Sequence, residues 1–524
     1  MAAAFVVVYS YDLDRFSIFS GMLDILTPSK VGCSNLMTEA TLVATLFAPP
    51  TADGKELSSL PGPVQWLEVR ADLVGDLDPD WLRSHFNGNL IYTLRSKAEG
   101  GQFEGAAAQR QARLLEAAKD YDLIDLEADR DLLPALLSEI PPHKRLISWH
   151  GPASDCSTLK QRLEKISAVE ARIYKLVPAA GQAGDEMAAL SMLKLAGRSD
   201  TIAYATGKTS LWSRLLAPYF GLPMIFGTIG KHPDAPGEPT VSQLIDDYDL
   251  PNLKPLREIY GIVGDPVYHS LSPRLHNAAY RALGYPALFV PFHAESFSDF
   301  WRDVVEKGTL ESLGISIRGF TVASPHKEEA LKSATASSPM VRRAGSTNIF
   351  VRNNGTWKAD TTDPEGVVQA MRQRGIDLEG KKVAVVGCGG SGRAIAAALD
   401  QAGANVTLVN RGMERGMRGH KLLGLPFVPL SKFSVEGYSV VVNATPVGRD
   451  SNELPFELAG LSKHAIVVDL VYGSSTTSLI ANALASGRVA IDGREVLFVQ
   501  VRRQFYLMTG QEMPVDLASK ILAV

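Results

Sequence analysis

The sequence predicts an α/β chain in which a parallel (β/α)8 barrel precedes a dinucleotide-binding domain of Rossmann type. Three observations predict it. Eight apolar runs alternate with helical apolar spacing between residues 41 and 228. Lys382 to Arg411 reads as strand, glycine turn, helix and strand. Between these regions Asp246 to Pro255, DDYDLPNLKP, is short, polar and proline-bearing, as linkers are.

The eight runs are Thr41 to Phe47, Gln65 to Leu73, Leu90 to Arg95, Leu123 to Ala128, Arg145 to Trp149, Arg172 to Val177, Thr201 to Ala205 and Met224 to Thr228. Segments 105–119, 157–168, 185–197 and 209–219 carry helical spacing between them. Eight such alternations in about 200 residues suit a (β/α)8 barrel.

Ionisable residues gather at the ends of these runs, where barrel chemistry sits. Glu68, Arg70 and Asp72 alternate along the second run and are expected on one face. Arg95 ends the third run with Glu99 just beyond, Asp125 and Glu127 share a face of the fourth, His150 follows the fifth, Lys175 lies in the sixth and Arg214 follows the seventh. Asp72, Asp125 and Glu127 equally suit mutual pairing with cations. Lys175 sits among Ile173, Tyr174, Leu176 and Val177, a dry setting that disfavours an ammonium and lowers an amine's pKa. A neutral amine there attacks a ketone to form a Schiff base. His150 supplies a group that titrates near neutrality for the proton transfers.

The glycine turn is Gly387-x-Gly389-x-x-Gly392, after the apolar run Val383 to Val386 and before Ala394, Ile395, Ala398 and Leu399 at helical spacing. That context presents backbone N–H groups and a helix N-terminus to a pyrophosphate, whereas a turn that merely packs helix on sheet needs none of it. The next strand, Asn405 to Val409, ends in Asn410 and Arg411 rather than an acid. An arginine there pairs with a 2'-phosphate, so NADP is favoured over NAD, and Arg415 adds a second cation.

With 524 residues, about three or four domains are expected. A net charge of −4 with dispersed cations argues against nucleic acid as a partner. Cys33, Cys156 and Cys388 lie far apart, without metal-ligand spacing, which suggests a reducing compartment, no disulfide framework and no metal. No apolar stretch reaches the ~18 residues of a membrane span. The opening MAAAFVVVY lacks a basic flank, and residues 1–39 receive no function. A cytoplasmic location is expected, or a plastid if that segment is a targeting sequence.

These motifs carry two resemblances. Residues 40–245 resemble type I 3-dehydroquinate dehydratase in LEVRADL, TLRSKAEGGQF, SWHG, YKLVP, GKTSLWSR and FGTIGKHPDAPGEPTV. The resemblance implies that Lys175 forms an imine with 3-dehydroquinate, that His150 is general acid and base, and that Arg214 holds the substrate carboxylate. It also implies that Glu68, Arg70 and Arg95 orient hydroxyls and base. Where the family has Ser-Ala-Pro-Gly-Gln, this chain has Asp234-Ala-Pro-Gly-Glu238, two carboxylates that accept but do not donate hydrogen bonds when ionised. Their charge is expected to weaken binding of an anion unless Lys231 or Arg214 offsets it.

Beyond a linker at 246–258, residues 259–524 resemble shikimate dehydrogenase in GDPVYHSLSPRLHN, FTVASPHKEEA, AGSTNIF, DTTDPEG, VVGCGGSGRA, VVNATPVG, DLVYGSSTTSLI and DGREVLFVQVRRQFYLMTG. The resemblance implies a two-domain dehydrogenase: an open α/β substrate domain at 259–362, completed by C-terminal helices at 493–524, and a Rossmann NADP domain at 363–492. Carried over, Ser270 and Ser272 bind the substrate carboxylate, Lys327 and Asp363 are the catalytic pair, and Asn348 and Gln500 contact ring hydroxyls. The cofactor set is Gly387, Gly389, Gly390, Ser391, Gly392, Asn410, Arg411 and Arg415, with Asn443, Ala444, Thr445 and Val471 beside the nicotinamide. Alone, the serines suit a helix cap and Lys327 an exposed lysine at a helix start. The family's Asn-Val-Thr is Thr321-Val322-Ala323, so a hydroxyl is absent at 323, and Thr321 is expected to substitute.

The combined reading is a fused enzyme, monomer or homodimer, that dehydrates 3-dehydroquinate and reduces 3-dehydroshikimate to shikimate with NADPH. Its alternatives are a dehydratase fused to a quinate dehydrogenase, which the change at Ala323 favours, and an idle metabolite sensor. Lys175, His150, Lys327 and Asp363 together speak against the sensor.

Overall fold

In the computed structural model, residues 40–230, 237–473 and 475–524 are described. The expected barrel is present as β1 (Thr41–Leu46), β2 (Val64–Arg70), β3 (Asn89–Thr93), β4 (Leu123–Glu127), β5 (Arg145–Gly151), β6 (Ile173–Pro178), β7 (Thr201–Ala203) and β8 (Met224–Thr228). Every pairing from β7 through β1 to β8 is parallel. The strands are buried almost throughout, because helices cover the outside and side chains fill the inside.

Two details depart from expectation. Among the described residues no ladder joins β7 to β8, so one seam of the barrel lacks hydrogen-bonded strands. β7 is only three residues long, and just past it Thr206 still bridges to Ala179 on the β6 side rather than to β8. The second strand stops at Arg70, so Asp72 does not share its face with Glu68 and Arg70. Asp72 lies in the helix Ala71–Val74, turned back so that Arg70 Nε and Nη2 donate to it at 2.9 and 2.8 Å. It also accepts from the backbone N–H of Gln102 at 3.0 Å, bracing the loop after β3.

The helix Val241–Asp246 closes the barrel behind a capping box in which Thr240 and Gln243 satisfy each other's backbone N–H groups. The stretch after it is anchored, since Tyr248 and Leu250 are buried.

A second sheet follows, formed by β9 (Glu258–Gly264), β10 (Ala287–His293), β11 (Ser316–Val322), β12 (Ala336–Ser337), β13 (Ile349–Asn353) and β14 (Thr356–Asp360), in the order β10-β9-β11-β13-β14-β12. Its first three strands are parallel, and β13 turns back antiparallel to β11. The third sheet comprises β15 (Lys382–Val386), β16 (Asn405–Asn410), β17 (Phe427–Pro429), β18 (Val440–Asn443), β19 (Ile466–Asp469) and β20 (Val489–Ile491). It is parallel throughout, in the order β17-β16-β15-β18-β19-β20. Strand order reverses between β15 and β18, and ligands of such sheets bind at the carboxyl ends flanking that point. The helix Gly493–Thr509, capped by Asp492 and Glu495 and followed by a last helix Val515–Leu522, packs back on the second sheet, where Tyr260 O–H donates to Met508 O at 3.0 Å.

The barrel and the second sheet share a continuous apolar core. Trp212 of the barrel lies 5.6 Å, ring to ring, from Phe292 of β10. Lys194 Nζ donates to Leu313 O at 2.6 Å, and Tyr268 O–H donates to Lys208 O.

Candidate active sites

The first site occupies the carboxyl ends of the barrel strands. Ser148 of β5 is level with Lys175 of β6, and His150 with Val177. Side chains alternate along a strand, so Lys175 and His150 point to the same interior face. Lys175 is buried, its Nζ 3.9 Å from Glu68 Oε1 and 3.8 Å from the Phe226 ring centroid. The setting is therefore not simply dry: a carboxylate and an aromatic face both meet the amine. Glu68 accepts from Thr45 Oγ1 at 2.8 Å and from Thr93 Oγ1 at 2.9 Å. Burial alone would raise the Glu68 carboxyl, but Lys175, Arg70 and these hydroxyls outweigh it and hold the group below its ordinary value.

His150 is linked to Glu99, whose Oε2 lies 3.2 Å from Nδ1 and accepts the His150 backbone N–H at 2.9 Å. Arg95 Nη1 donates to the same oxygen at 3.1 Å and to Ser148 Oγ at 2.9 Å. Burial, reinforced by the cations Arg95, Lys175, Arg70 and Arg214, keeps His150 well below its usual range. Burial likewise pushes Glu99 up to about 8, against the pull of Arg95. Both shifts favour a neutral imidazole, a base ready to take a proton.

Asp125 and Glu127 prove to be supports for the cations. Asp125 pairs with Arg95, and Glu127 lies 3.6 Å from Arg95 Nη1 and 3.1 Å from Arg130 Nε. Arg70 is tied to Asp72 and stacks over Phe47 at 5.2 Å.

Arg214 spans the open seam. Its guanidinium sits 4.5 Å from the Tyr204 ring, just past β7, while Nη1 donates to Phe226 O of β8 at 3.1 Å. Buried Nε has no partner among the described residues. A buried donor without an acceptor is costly, and a substrate carboxylate would satisfy it. Glu238 Oε1 lies 4.0 Å from Arg214 Nη2, so this carboxylate stands beside the cation. Asp234 and Lys231 lie outside the described residues.

The second site lies between the second and third sheets. Lys327 sits in a turn rather than at a helix start, because only a short 3-10 segment, Ala330–Ser333, follows it. Its Nζ donates to Asp363 Oδ2 at 2.6 Å and to Ser391 Oγ at 2.7 Å. Asp363 opens the helix Asp363–Gln373, and its other oxygen accepts from Asn348 Nδ2 at 2.8 Å and Gln500 Nε2 at 3.0 Å. Three of the expected side chains, Lys327, Asn348 and Gln500, therefore converge on the Asp363 carboxylate. The Thr321 hydroxyl, on the neighbouring strand β11, is buried without a partner among the described residues. Ser272 opens the helix Ser272–Leu283, and its N–H donates to Ser270 Oγ at 3.2 Å, so the serines share a turn.

The glycine turn follows β15. At Gly392 a Cβ would fall 1.8 Å from Gly387 O, so only glycine lets the helix Gly390–Gln401 start there. A Cβ on Gly389 would meet nothing within 4 Å, which leaves the turn open to a pyrophosphate. Asn410 is spent on the turn itself, accepting from Cys388 N at 3.0 Å and donating to Gly412 O at 2.8 Å. Arg411 and Arg415 are exposed, and neither forms an ion pair among the described residues, as a 2'-phosphate site requires. Asn443 also shapes backbone: its Oδ1 accepts from Thr445 N at 3.0 Å, while Nδ2 donates to Asp469 at 2.9 Å. Asp469 receives Val471 N at 3.0 Å, setting Ala444, Thr445 and Val471 around the ends of β18 and β19. The open turn and the two free cations fit NADP.

Several residues escaped the sequence. Thr45, Thr93 and Ser148 are β-branched or small polar residues in strands, indistinguishable there from ordinary strand formers. Gln504, which donates to Thr362 Oγ1 at 3.0 Å, comes from a distant segment.

Comparison with known proteins agrees with this division. The family described as Type I 3-dehydroquinase matches residues 50–254, and the shikimate dehydrogenase substrate binding domain matches residues 262–350. An NADP(+) shikimate dehydrogenase of Pyrococcus furiosus is 34% identical over 272 residues, 50% of this chain and 94% of the relative. The chain belongs to the shikimate dehydrogenase family. Its first half is a type I dehydroquinase domain. A bifunctional 3-dehydroquinate dehydratase/shikimate dehydrogenase of Arabidopsis thaliana, described as chloroplastic, is 29% identical over 489 residues, 87% of this chain and 79% of that one. Among solved structures, the shikimate 5-dehydrogenase of Thermus thermophilus with NADP(H) and shikimate is 30% identical, covers 51% of this chain and 98% of its own, and has a TM-score of 0.45. No helix among the described residues is long and apolar enough to cross a membrane.

Proposed function

We propose that the chain catalyses two successive reactions: dehydration of 3-dehydroquinate to 3-dehydroshikimate in the barrel, then NADPH-dependent reduction of that product to shikimate. The observation that carries the reading is the Lys327 ammonium, held between Asp363 and the first turn of the dinucleotide helix, in a chain whose barrel encloses Lys175 beside a histidine base.

In the barrel, Arg214 takes the substrate carboxylate and Lys175 attacks the ketone. Water leaves the carbinolamine, giving an imine whose positive charge is faced by Glu68. His150, neutral at the start, removes the proton next to the imine carbon and returns it to the departing hydroxyl. Glu99 holds the imidazole from Nδ1, and Arg95 holds Glu99. Hydrolysis of the imine releases product and restores the amine.

In the second site, Ser270 and Ser272 receive the carboxylate, and Asn348, Gln500 and Thr321 meet the ring hydroxyls. NADPH, when bound, supplies the hydride. Lys327 protonates the nascent alkoxide, and Asp363 keeps the lysine charged and aimed. Arg411 and Arg415 pair with the 2'-phosphate.

Absorbance growth from 3-dehydroquinate and NADPH consumption from 3-dehydroshikimate, measured on the full chain, test the two reactions separately. Comparing oxidation of shikimate with that of quinate tests substrate choice, where the serine pair favours shikimate. The free thiols at Cys156 and Cys388 support placement in a reducing compartment, the cytoplasm, checked by imaging a tagged chain. Light scattering distinguishes monomer from homodimer.

A further inference from the structure

Glu328 directly follows Lys327 and reaches into the neighbouring domain. Its Oε1 lies 3.1 Å from Arg393 Nη1 and its Oε2 lies 3.4 Å from Arg418 Nη1. Arg418 is largely exposed, so that pair is weak. Arg393 is different: it is 1% exposed, in the first turn of the helix that starts at the glycine turn.

The partners of Arg393 come from both sides of the cleft. Nε donates to Ala344 O at 2.9 Å and Nη2 to Gly345 O at 3.2 Å, at the carbonyl end of the helix Pro339–Ala344. The negative end of that helix favours a cation there. Nη1 donates to Cys388 O at 3.3 Å, inside the glycine turn. One planar cation thus grips the substrate domain through Ala344, Gly345 and Glu328, and the dinucleotide turn through Cys388. Beside this grip the domains are in van der Waals contact: a Cβ on Gly390 would lie 2.8 Å from Lys327 Cβ, and Ser346 Oγ donates to Gly390 O at 2.9 Å.

We propose that Arg393 and Glu328 are a positioning pair that fixes Lys327 relative to the glycine turn, so that proton and hydride reach one carbonyl in register. The proposal rests on Lys327 being the proton donor. Neither residue of the pair touches the reacting atoms; both act through the placement of the lysine. Misplacement of a reacting group by about 1 Å costs up to ~10²-fold in rate, which is the scale on which such a grip matters.

Glu328→Gln, Glu328→Asp and Arg393→Lys in the full chain test it, with dehydratase activity of the same molecules reporting whether they fold. The expected result for Glu328→Gln and Arg393→Lys is a fall in kcat for 3-dehydroshikimate reduction of about ten-fold or more, with KM for NADPH within about two-fold. The primary isotope effect from deuterated NADPH should rise as hydride transfer becomes slower, and Glu328→Asp should recover part of kcat. Unchanged kcat, or a raised NADPH KM at unchanged kcat, overturns the pair as a positioning device. Lys327→Ala separates the two claims. If it keeps full kcat, the proton-donor reading fails; if it loses kcat while Glu328→Gln does not, the pair alone fails. Glu328 is partly exposed, so its neutral isostere keeps the test available should Arg393→Lys not fold.

Discussion

Lys327 Nζ lies 2.6 Å from Asp363 Oδ2 and 2.7 Å from Ser391 Oγ, so one ammonium joins the Asp363 carboxylate and its amide partners to the helix after the glycine turn. Removing the charge of Asp363 leaves the lysine with a neutral partner and Asn348 and Gln500 with a poorer acceptor. Asp363→Asn should lower kcat for 3-dehydroshikimate reduction by ~10²–10⁴-fold while dehydration proceeds unchanged. Parallel rate measurements on one preparation check it, and equal loss of both activities would instead indicate misfolding.

Lys175 predicts a covalent signature. Borohydride added with 3-dehydroquinate should reduce the imine and add mass to the peptide holding Lys175, and Lys175→Ala should abolish both labelling and dehydration. Mass spectrometry reads the outcome. An unmodified lysine in an enzyme that remains fully active after treatment would refute the imine.

The depressed basicity of His150 predicts a pH profile. Burial and the surrounding cations hold its folded value well below 6.5, so the imidazole stays in its basic form as pH falls through 6.5. The acid limb of kcat/KM for dehydration should therefore lie below pH 6.5, as initial rates across pH 5 to 8 will show. A limb at or above 6.5 contradicts the geometry.

Arg411 and Arg415 predict cofactor choice. If Arg411 faces the 2'-phosphate as proposed, Arg411→Asp replaces that cation with an anion and should lower the ratio of kcat/KM for NADPH over NADH by about ten-fold or more. An unchanged ratio would remove these residues from phosphate recognition.

His276 predicts acid sensitivity. It is fully buried, stacks on Phe289 at 4.2 Å, and neither ring nitrogen has a partner among the described residues. Burial holds it at about 3 in the folded chain against an ordinary 6.5. The unfolded chain therefore takes a proton that the folded chain refuses, and stability present above 6.5 is lost as pH falls toward 3. At pH 5 the loss is about 2 kcal/mol. The urea midpoint should move less between pH 7 and pH 5 in His276→Phe than in the parent, and an equal shift would assign the acid sensitivity elsewhere.

The barrel was legible because most of its strands are short apolar runs buried on both faces, and the glycine turn because a Cβ at Gly392 would collide with Gly387 O. Lys175, His150, Arg214, Lys327 and Asp363 are singled out by the motifs around them, and the fold sets Lys327 beside Asp363 and Lys175 beside Glu68. What escaped depends on distance in sequence. Ser391, expected only beside the cofactor, also meets Lys327 across 64 positions, and Gln504 meets Thr362 across 142, separations that no local pattern encodes. Strand ends were read too long at Asp72, where alternation alone cannot reveal that the chain has already turned into a helix. Asn410 and Asn443 read as cofactor contacts, and their side chains hold the backbone turns that border the same cleft, a role the sequence did not reveal.

Trp212 and Phe292 meet across the junction of barrel and substrate domain, within a core that belongs to both. A protease nick within 247–257 would therefore not set two enzymes free. The fragments should co-elute as one particle, and either half produced alone should aggregate through the greasy face it no longer shares.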